Sequence, residues 1–418
     1  MPIIPEFDVI VAGGGAGGIA AAVSAARNGA RTLLFDRYGF LGGGATAMLV
    51  NPFMPYWAGR TQIIHGVLQE IIDRLTAMGA YGHPKCEAAF DPEAFKVVAE
   101  LLCQEAGVTL LYHSVLAGVT KDGDRITAVK VANKAGLVEL KAKLFIDSTG
   151  DGDLSAMAGA VVEKGRPEDG LAQPMTLNFR VANIDLDRMP SRGEVTRLYL
   201  EAKANGEIQC PREDVLFFYT TQPGVIHFNT TRVVMKDATD PWALTEAEIE
   251  ARRQVQQYMA FFRKHVRGFE NAYLQTTAPN IGVRESRRVI GEYVLTAEEL
   301  MAKCRFDDVI ALGSYPIDIH NPAGTGTVLK YLQPGEYYQL PYRILVPKGV
   351  ANLLVGGRCV SCTHEAHSAI RVMPIVMAMA QAAGTAAAIC LADGVTPGQV
   401  DVRKLQARLV SQAATLTV

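Results

Sequence analysis

Charge excess is missing from this chain: 41 lysines and arginines face 43 acids in 418 residues, a formal net charge of −2. So balanced a composition excludes nucleic acid and an anionic membrane as the main partner, since both are recognised through large positive fields. Cysteine is scarce and unpatterned. The seven thiols, Cys86, Cys103, Cys210, Cys304, Cys359, Cys362 and Cys390, form no disulfide framework and are odd in number. That fits a reducing compartment, and the cytoplasm is expected. No secretory leader is expected either. Met1 to Phe7 has no basic n-region, and glycines break the apolar run that follows. No internal repeat or low-complexity tract is visible. One apolar run, Val372 to Ala392, has the length to cross a bilayer. Ala, Met and Gly dominate it, and no basic cluster flanks it, so it reads as a helix buried on all sides and not as a membrane span.

Glycine, by contrast, is plentiful and placed. In FDVIVAGGGAGGIAAAVSAARNGARTLLFDR, Phe7 to Ala12 reads as a buried strand, Ala16 to Asn28 as an Ala-rich helix stopped by Gly29, and Arg31 to Phe35 as a second strand. Gly13, Gly15 and Gly18 set the G-x-G-x-x-G spacing between strand and helix. Gly13 serves the tight turn, Gly15 admits a pyrophosphate to the backbone, and Gly18 lets helix and strand pack closely. Ala16 and Gly17 open the helix, whose N–H groups and positive dipole end suit phosphate. Asp36, followed by Arg37, ends the second strand, where an acid accepts the ribose hydroxyls. Strand, turn, helix and acid agree on a dinucleotide. They do not separate NAD from FAD. Gly42, Gly43 and Gly44 form a second glycine turn just past the acid, which suggests an elongated cofactor whose middle also touches backbone.

Asp91-Pro92 begins a helix that runs to about Ala106. Val108 to Tyr112 reads as a strand, and Val115–Lys121, Arg125–Ala132 and Leu137–Lys141 as a β-meander joined by DGD and NKAG turns. Leu144 to Asp147 follows as a further buried strand, ending in STGDGD.

With the meander and LFIDSTGDGD, the chain resembles flavoproteins of the glutathione-reductase-type FAD fold. More narrowly it resembles the bacterial FAD-dependent oxidoreductases grouped with succinate dehydrogenase and fumarate reductase flavoproteins. QPMTLNFR (173–180), RESRRVIGEYVLT (284–296), YPIDIHNP (315–322) and NLLVGGRCVSCTHEAHSAIRVMP (352–374) continue the likeness over nearly the whole chain. The resemblance implies FAD as cofactor, with Thr149, Gly150 and Asp151 in a turn beside it. The fold implied is α/β, a Rossmann-like FAD-binding domain with a β-meander insertion plus a mixed α+β substrate or cap domain. The first domain is expected to be discontinuous, residues 1–160 and 347–418, and the second to be 161–346. Gly44 stands where a bulkier residue, often Met, is expected, which opens the flavin edge. Cys362 stands where the family has a small residue without a thiol.

The stretch GRCVSCTHEAHSAIRVMP (357–374) gathers cysteines, histidines and arginines. A zinc site would need Cys359, Cys362, His364 and His367, but the two pairs nearly abut, and structural sites separate them by a loop. No metal is expected. A redox disulfide between Cys359 and Cys362 is the second reading, and two inert buried thiols outrank it. The favoured reading is a flavin wall. Asn352 to Val355 is a strand, Gly356 and Gly357 allow close approach, and Arg358 follows them. A helix begins near Met373-Pro374, after Arg371 and Val372. Its positive end and Arg371 would favour reduced flavin.

A flavin oxidoreductase needs a group that manages one proton and usually a cation for a polar substrate. His320 is the first candidate base, with His364 and His367 second. Arg284, Arg287 and Arg288 form one run, in which strand alternation would put Arg284, Ser286 and Arg288 on one face, for a carboxylate, a sugar or an FAD phosphate. A helix starting at Thr245 with Glu248 in a capping box is expected to reach His265. NPAGTGTVLKYLQPGEYY reads as a loop, a lid or the contact of a homo-oligomer. The expected reaction is hydride transfer between flavin N5 and a small polar substrate: a hydroxy acid, a sugar-like hydroxyl or an activated alkene. A flavin-binding subunit of a larger redox complex and a flavin monooxygenase or halogenase are the alternatives. With one dinucleotide fingerprint, electrons pass through substrate, a quinone, oxygen or a partner protein.

Overall fold

The computed structural model describes residues 6–418. The opening segment on which the expected lack of a leader rests lies largely outside them. In chain order, β1 (Phe7–Ala12), α1 (Ala16–Arg27) and β2 (Thr32–Phe35) form the first unit. Helix α2 (Pro92–Glu105) follows, N-capped by Asp91, whose side chain accepts the N–H groups of Glu93 and Ala94. It leads to β3 (Thr109–Leu111) and the meander β4 (Val115–Asp122), β5 (Arg125–Asn133) and β6 (Gly136–Asp147). The last meander strand and the buried strand after it were expected as two. They are one 12-residue strand, because no turn-forming residue separates Lys141 from Leu144.

A small antiparallel sheet comes next, from β7 (Phe179–Ala182), β8 (Phe217–Tyr219), β9 (Ile226–Phe228) and, after helix α3 (Pro241–His265), β10 (Tyr273–Thr277). Helix α3 starts four residues before the expected Thr245. Asp240 caps it by accepting Trp242 N–H at 2.9 Å, and Pro241 fits its first position. The proposed capping box does not form, since Glu248 accepts from Ile281 N–H at 2.7 Å instead. The expected loop after Ile319 is largely a hairpin, β11 (Ile317–His320) against β12 (Thr327–Lys330). Strand β13 (Leu353–Val355), helix α4 (His364–Ile370) and helix α5 (Met373–Asp393) complete the elements used below.

The main sheet runs β3-β2-β1-β6-β13, all parallel, and β6 continues into antiparallel pairing with β5 and then β4. Helices α1 and α5 lie against each other. A Cβ on Gly384 would run into the Ala21 carbonyl oxygen, so small residues set this approach. The 21-residue α5 is apolar and long enough for a bilayer, and it is mostly buried inside the molecule.

The apolar core falls into two clusters. One holds the main sheet and its helices. The other is Leu49 with residues between Met175 and Val283, where Phe179 and Phe228 stack at 5.1 Å and Phe228 meets Phe262 of α3 at 4.6 Å. Residues 289–346 pack into the first cluster, so the stretch 161–346 does not share one core. The opposite face of the small sheet, through Thr176, Asn178 and Asn229, roofs the cavity described next.

Candidate functional site

The C-terminal ends of β1, β6 and β13 lie side by side, with Ala12 beside Asp147 and Asp147 beside Val355. Such a crevice is where open α/β sheets bind ligands. Gly13 turns with φ +96°, and a Cβ there would stand 2.6 Å from the Ser148 carbonyl oxygen. Gly15 caps α1 and differs. A Cβ on it would meet only Gly43 Cα, at 3.9 Å, so the space before the helix N terminus is open for a phosphate. Gly17 and Gly18 are closed: a Cβ would strike the carbonyls of Gly356 and Gly13 respectively. The second glycine turn rests on the first, with Gly42 N–H donating to Gly14 O at 2.8 Å. Asp36 braces the first turn and the chain that follows β2. It accepts Gly14 N–H at 2.5 Å and Tyr38 N–H at 2.8 Å, burial pushes its carboxyl pKa up, and it lines the cavity beside Arg37.

The STGDGD turn is held by buried Asp147, which accepts from Thr149 Oγ1 at 2.7 Å and from Ser155 N–H at 2.8 Å. Gly150 takes φ +81°, and a Cβ there would come within 2.6 Å of the Arg358 guanidinium. Arg358 in turn pairs with Asp151 at 2.5 Å, leaving its Nε buried and without a partner. Gly357, Arg371, Val372 and Met373 bring β13 and the N terminus of α5 to the same space. Gly44 faces it too, with Met373 Sδ 3.6 Å from where its Cβ would be.

These turns line one cavity of about 890 Å³. The open cradle at Gly15, the acid at the end of β2 and the orphaned guanidinium nitrogens of Arg358 and Arg371 fit an elongated, doubly phosphorylated cofactor. The segment Met48 to Pro55 forms part of the wall, and nothing in its residues marked it beforehand.

Away from the glycine turns the cavity becomes a charged pocket formed by Arg212, Glu213, Asp214, Arg284, Tyr315, Asp318, His320 and Arg371. Arg284 donates to the Pro174 carbonyl at 2.8 Å, to Thr176 Oγ1 at 2.5 Å and to Asn229 Oδ1 at 3.2 Å. Burial first, then the charges of Arg371 and Arg212, pull its pKa well below the usual guanidinium value. Asp318 accepts from Tyr315 OH at 2.8 Å and lies 3.5 Å from His320 Nε2. Burial pushes the Asp318 carboxyl up, but the hydrogen bond from His320 and the charge of Arg371 outweigh it and hold the group ionised, well below the usual range. His320 is pulled down to about 3 by burial and then by Arg284, so it is neutral. Its Nδ1 stands 3.0 Å from Arg232 Nη2. Arginine only donates, so Nδ1 accepts and the imidazole proton sits on Nε2, facing Asp318. Both ring nitrogens of the first candidate base are therefore engaged, and it orients Asp318.

His364 and His367 lie outside the cavity wall. His364 Nδ1 is 2.9 Å from Glu285, which also takes Arg288 Nη1 at 2.5 Å, in a buried cluster behind α4. His367 is fully buried and pulled down to about 3 by that burial. The alternation expected for the arginine run is not realised, because only Arg287–Val289 is a strand. Arg284 opens into the cavity and Arg288 turns to Glu285. Ser286 and Arg287 both reach the STGDGD turn, at Asp151 and Asp153. Cys359 and Cys362 are free and buried, and burial pushes the Cys362 thiol up to about 12. Among the described residues no group of three or more His, Cys, Asp or Glu is arranged to hold a metal. Arg212 and Tyr315 escaped the sequence reading; only chain segments brought together by the fold make them neighbours.

A family model described as FAD dependent oxidoreductase matches residues 8–409. A thiamine thiazole synthase from Methanococcus vannielii is 28% identical over 161 residues, which is 35% of this chain and 56% of that protein, so the match spans about half of the relative. The p-nitrophenol 4-monooxygenase PnpA from Pseudomonas putida DLL-E4 superposes with a TM-score of 0.50 at 13% identity, covering 98% of this chain and 86% of that one. A geranylgeranyl bacteriochlorophyll reductase-like protein from Thermoplasma acidophilum gives 0.48 at 11% identity, covering 98% and 84%. With the crevice, the three glycine turns and a family match over nearly its full length, the chain belongs to the FAD-dependent oxidoreductase family and uses FAD as its cofactor.

Proposed function

We propose that the enzyme transfers a hydride between FAD and a small polar substrate, a hydroxy acid or sugar-like alcohol being the first choice. One observation carries this: a single cavity joins the glycine cradle to a pocket of ionisable side chains. FAD, when bound, supplies the hydride acceptor or donor. The protein's part is to hold the cofactor, orient the substrate and take one proton. Asp318, ionised and on the wall, accepts the hydrogen bond of the substrate hydroxyl in this reading and, held well below the usual carboxylate range, relays that proton to water instead of keeping it. Tyr315 OH donates to it at 2.8 Å and fixes one lone-pair direction, while His320 Nε2 stands 3.5 Å away. Arg371 and the N terminus of α5 bring positive charge to the cavity, which would favour the reduced, negatively charged cofactor. Asp36, Gly15, Thr149, Gly150 and Arg358 hold the cofactor. The electrons leave to a quinone, to oxygen or to a partner protein, and the free thiols favour a cytoplasmic setting.

The test is anaerobic mixing of the yellow holoenzyme with hydroxy acids and sugars while the visible flavin band is followed. Bleaching by one of them without any added protein supports the proposal. Bleaching by NAD(P)H alone, with oxygen uptake that an aromatic compound stimulates, would move the enzyme to the monooxygenases. No bleaching until a second protein is added would make it the flavin subunit of a complex.

A further inference from the structure

The charged pocket does not balance its charges. Arg212 Nε pairs with Asp214 at 2.6 Å, Arg232 with Glu213 at 2.9 Å, and Arg371 lies 3.9 Å from Asp318. Arg284 pairs with no carboxylate among the described residues; its partners are the neutral oxygens of Pro174, Thr176 and Asn229. Those bonds occupy both Nη1 hydrogens and one on Nη2. Nε–H and the other Nη2 hydrogen remain on a side chain that lines the cavity. Arg212, which lines the same cavity, has its Nη1 without a partner. A guanidinium withdrawn from bulk water without a counter-charge is unfavourable, and Arg212 is close enough for its charge to act on Arg284, so donors left free on both side chains suit a carboxylate.

The cofactor's phosphates have a cradle of their own, the N terminus of α1 at Gly15. Apolar side chains line the same cavity as the two arginines: Leu216, Phe218 and Met48. A free inorganic anion would leave that surface uncovered.

Resting on the hydride-transfer reading of this cavity, we infer that the substrate is an organic acid whose carboxylate pairs with Arg284 and Arg212 while its aliphatic or aromatic body packs on Leu216, Phe218 and Met48. This narrows the substrate class from polar molecules in general to acids, and it gives Arg212 a role in specificity.

Propionate and benzoate, each against its amide, test this on the holoenzyme by ligand-observed saturation-transfer NMR. The acids should bind at least about 30-fold more tightly than the amides. Arg284→Met and Arg212→Met should each remove most of that preference while flavin absorbance and melting temperature stay near wild type. If either variant fails to fold, the acid–amide comparison on the wild-type protein still decides. Amides that bind as well as acids, acids that do not bind at about 50 mM, or a preference that survives both variants would overturn the inference. The two levels of the reading fail separately. Bleaching by a neutral sugar without any acid preference sinks the acid and keeps the hydride transfer. Acid binding with no bleaching by any hydroxy acid or sugar keeps the acid and sinks the proposed alcohol oxidation.

Discussion

The wall built on β1, β6 and β13 meets the cavity with backbone: N–H groups at Gly15, close turns at Gly13, Gly42 and Gly150, and the first turn of α5. The remaining wall meets it with side chains, chiefly Arg212, Arg284, Tyr315, Asp318 and His320. A backbone wall recognises what every user of the cofactor shares, phosphate and ribose, so its demands are on conformation. A side-chain wall recognises what is particular to one substrate, so its demands are on chemistry. Damage to the first should abolish colour, and damage to the second should leave colour and remove turnover.

The largest effect is expected at Gly15. A valine there has room in the folded apoprotein, since the Cβ would meet only Gly43 Cα at 3.9 Å. It would fill the phosphate cradle, and FAD affinity should fall by about 10²-fold or more. Equilibrium dialysis with FAD reads this, and circular dichroism checks that the fold survives. A yellow Gly15→Val protein of normal affinity would break the backbone side of the contrast.

Next comes Asp318→Asn, which should keep full flavin content and slow anaerobic flavin reduction by about 10²-fold or more. His320 should leave no mark on the pH profile of that rate between about pH 5 and 8, because it stays neutral down to about 3. A rate that titrates near pH 6.5 (about the ordinary imidazole value) and loses that limb in His320→Gln would restore His320 as the base.

A moderate effect concerns stability. His227, His320 and His367 are each pulled down to about 3, first by burial. Unfolded, each would bind a proton below about pH 6.5; folded, each stays neutral. The unfolded chain therefore binds more protons. Stability is intact above about pH 6.5 and falls by up to about 1.4 kcal/mol per pH unit for each histidine as pH drops toward 3. His227 has neither ring nitrogen partnered. His227→Phe should remove one histidine's share of that slope, read from urea midpoints at about pH 7 and pH 5.

The smallest effect is expected from Gly44→Met. The added Cβ makes only ordinary contact with Met373, at 3.6 Å. Flavin should stay bound, and the apparent KM for the eventual substrate should change by less than about tenfold, as for a few methylenes at a pocket rim. Loss of flavin would show that the glycine belongs to the cradle and not to its edge.

The same contrast explains what could be read in advance. Gly13, Gly15, Gly18, Asp36, Thr149 and Gly357 fall within a few residues of strand ends, so local turn chemistry announces them. Helix α2 was bounded correctly because Asp91, Pro92 and Gly107 are local signals. Helix α3 began early because Asp240-Pro241 outcompeted Thr245, whose intended partner Glu248 was taken by Ile281, distant in sequence. Arg212, Arg284 and Tyr315 lie in three segments far apart in sequence, and nothing local ties them together. His364 and His367 stood second to His320 as candidate bases on residue type, and α4 buries them on the side of Glu285, away from the cavity. A C-x-x-C says little when both sulfurs face an apolar interior.

Strand β6 works as a ruler. One end belongs to a hairpin on the molecule's surface, and the other sets Asp147, which clamps Thr149 and Ser155. Successive residues along a strand point to opposite sides. Removing one of the solvent-facing residues Lys141 or Lys143 would therefore turn Asp147 away from its clamp. An indel well outside the cavity would bleach the enzyme as surely as one in the glycine loop, whereas a lengthened tip at Lys134-Ala135 would be absorbed without trace.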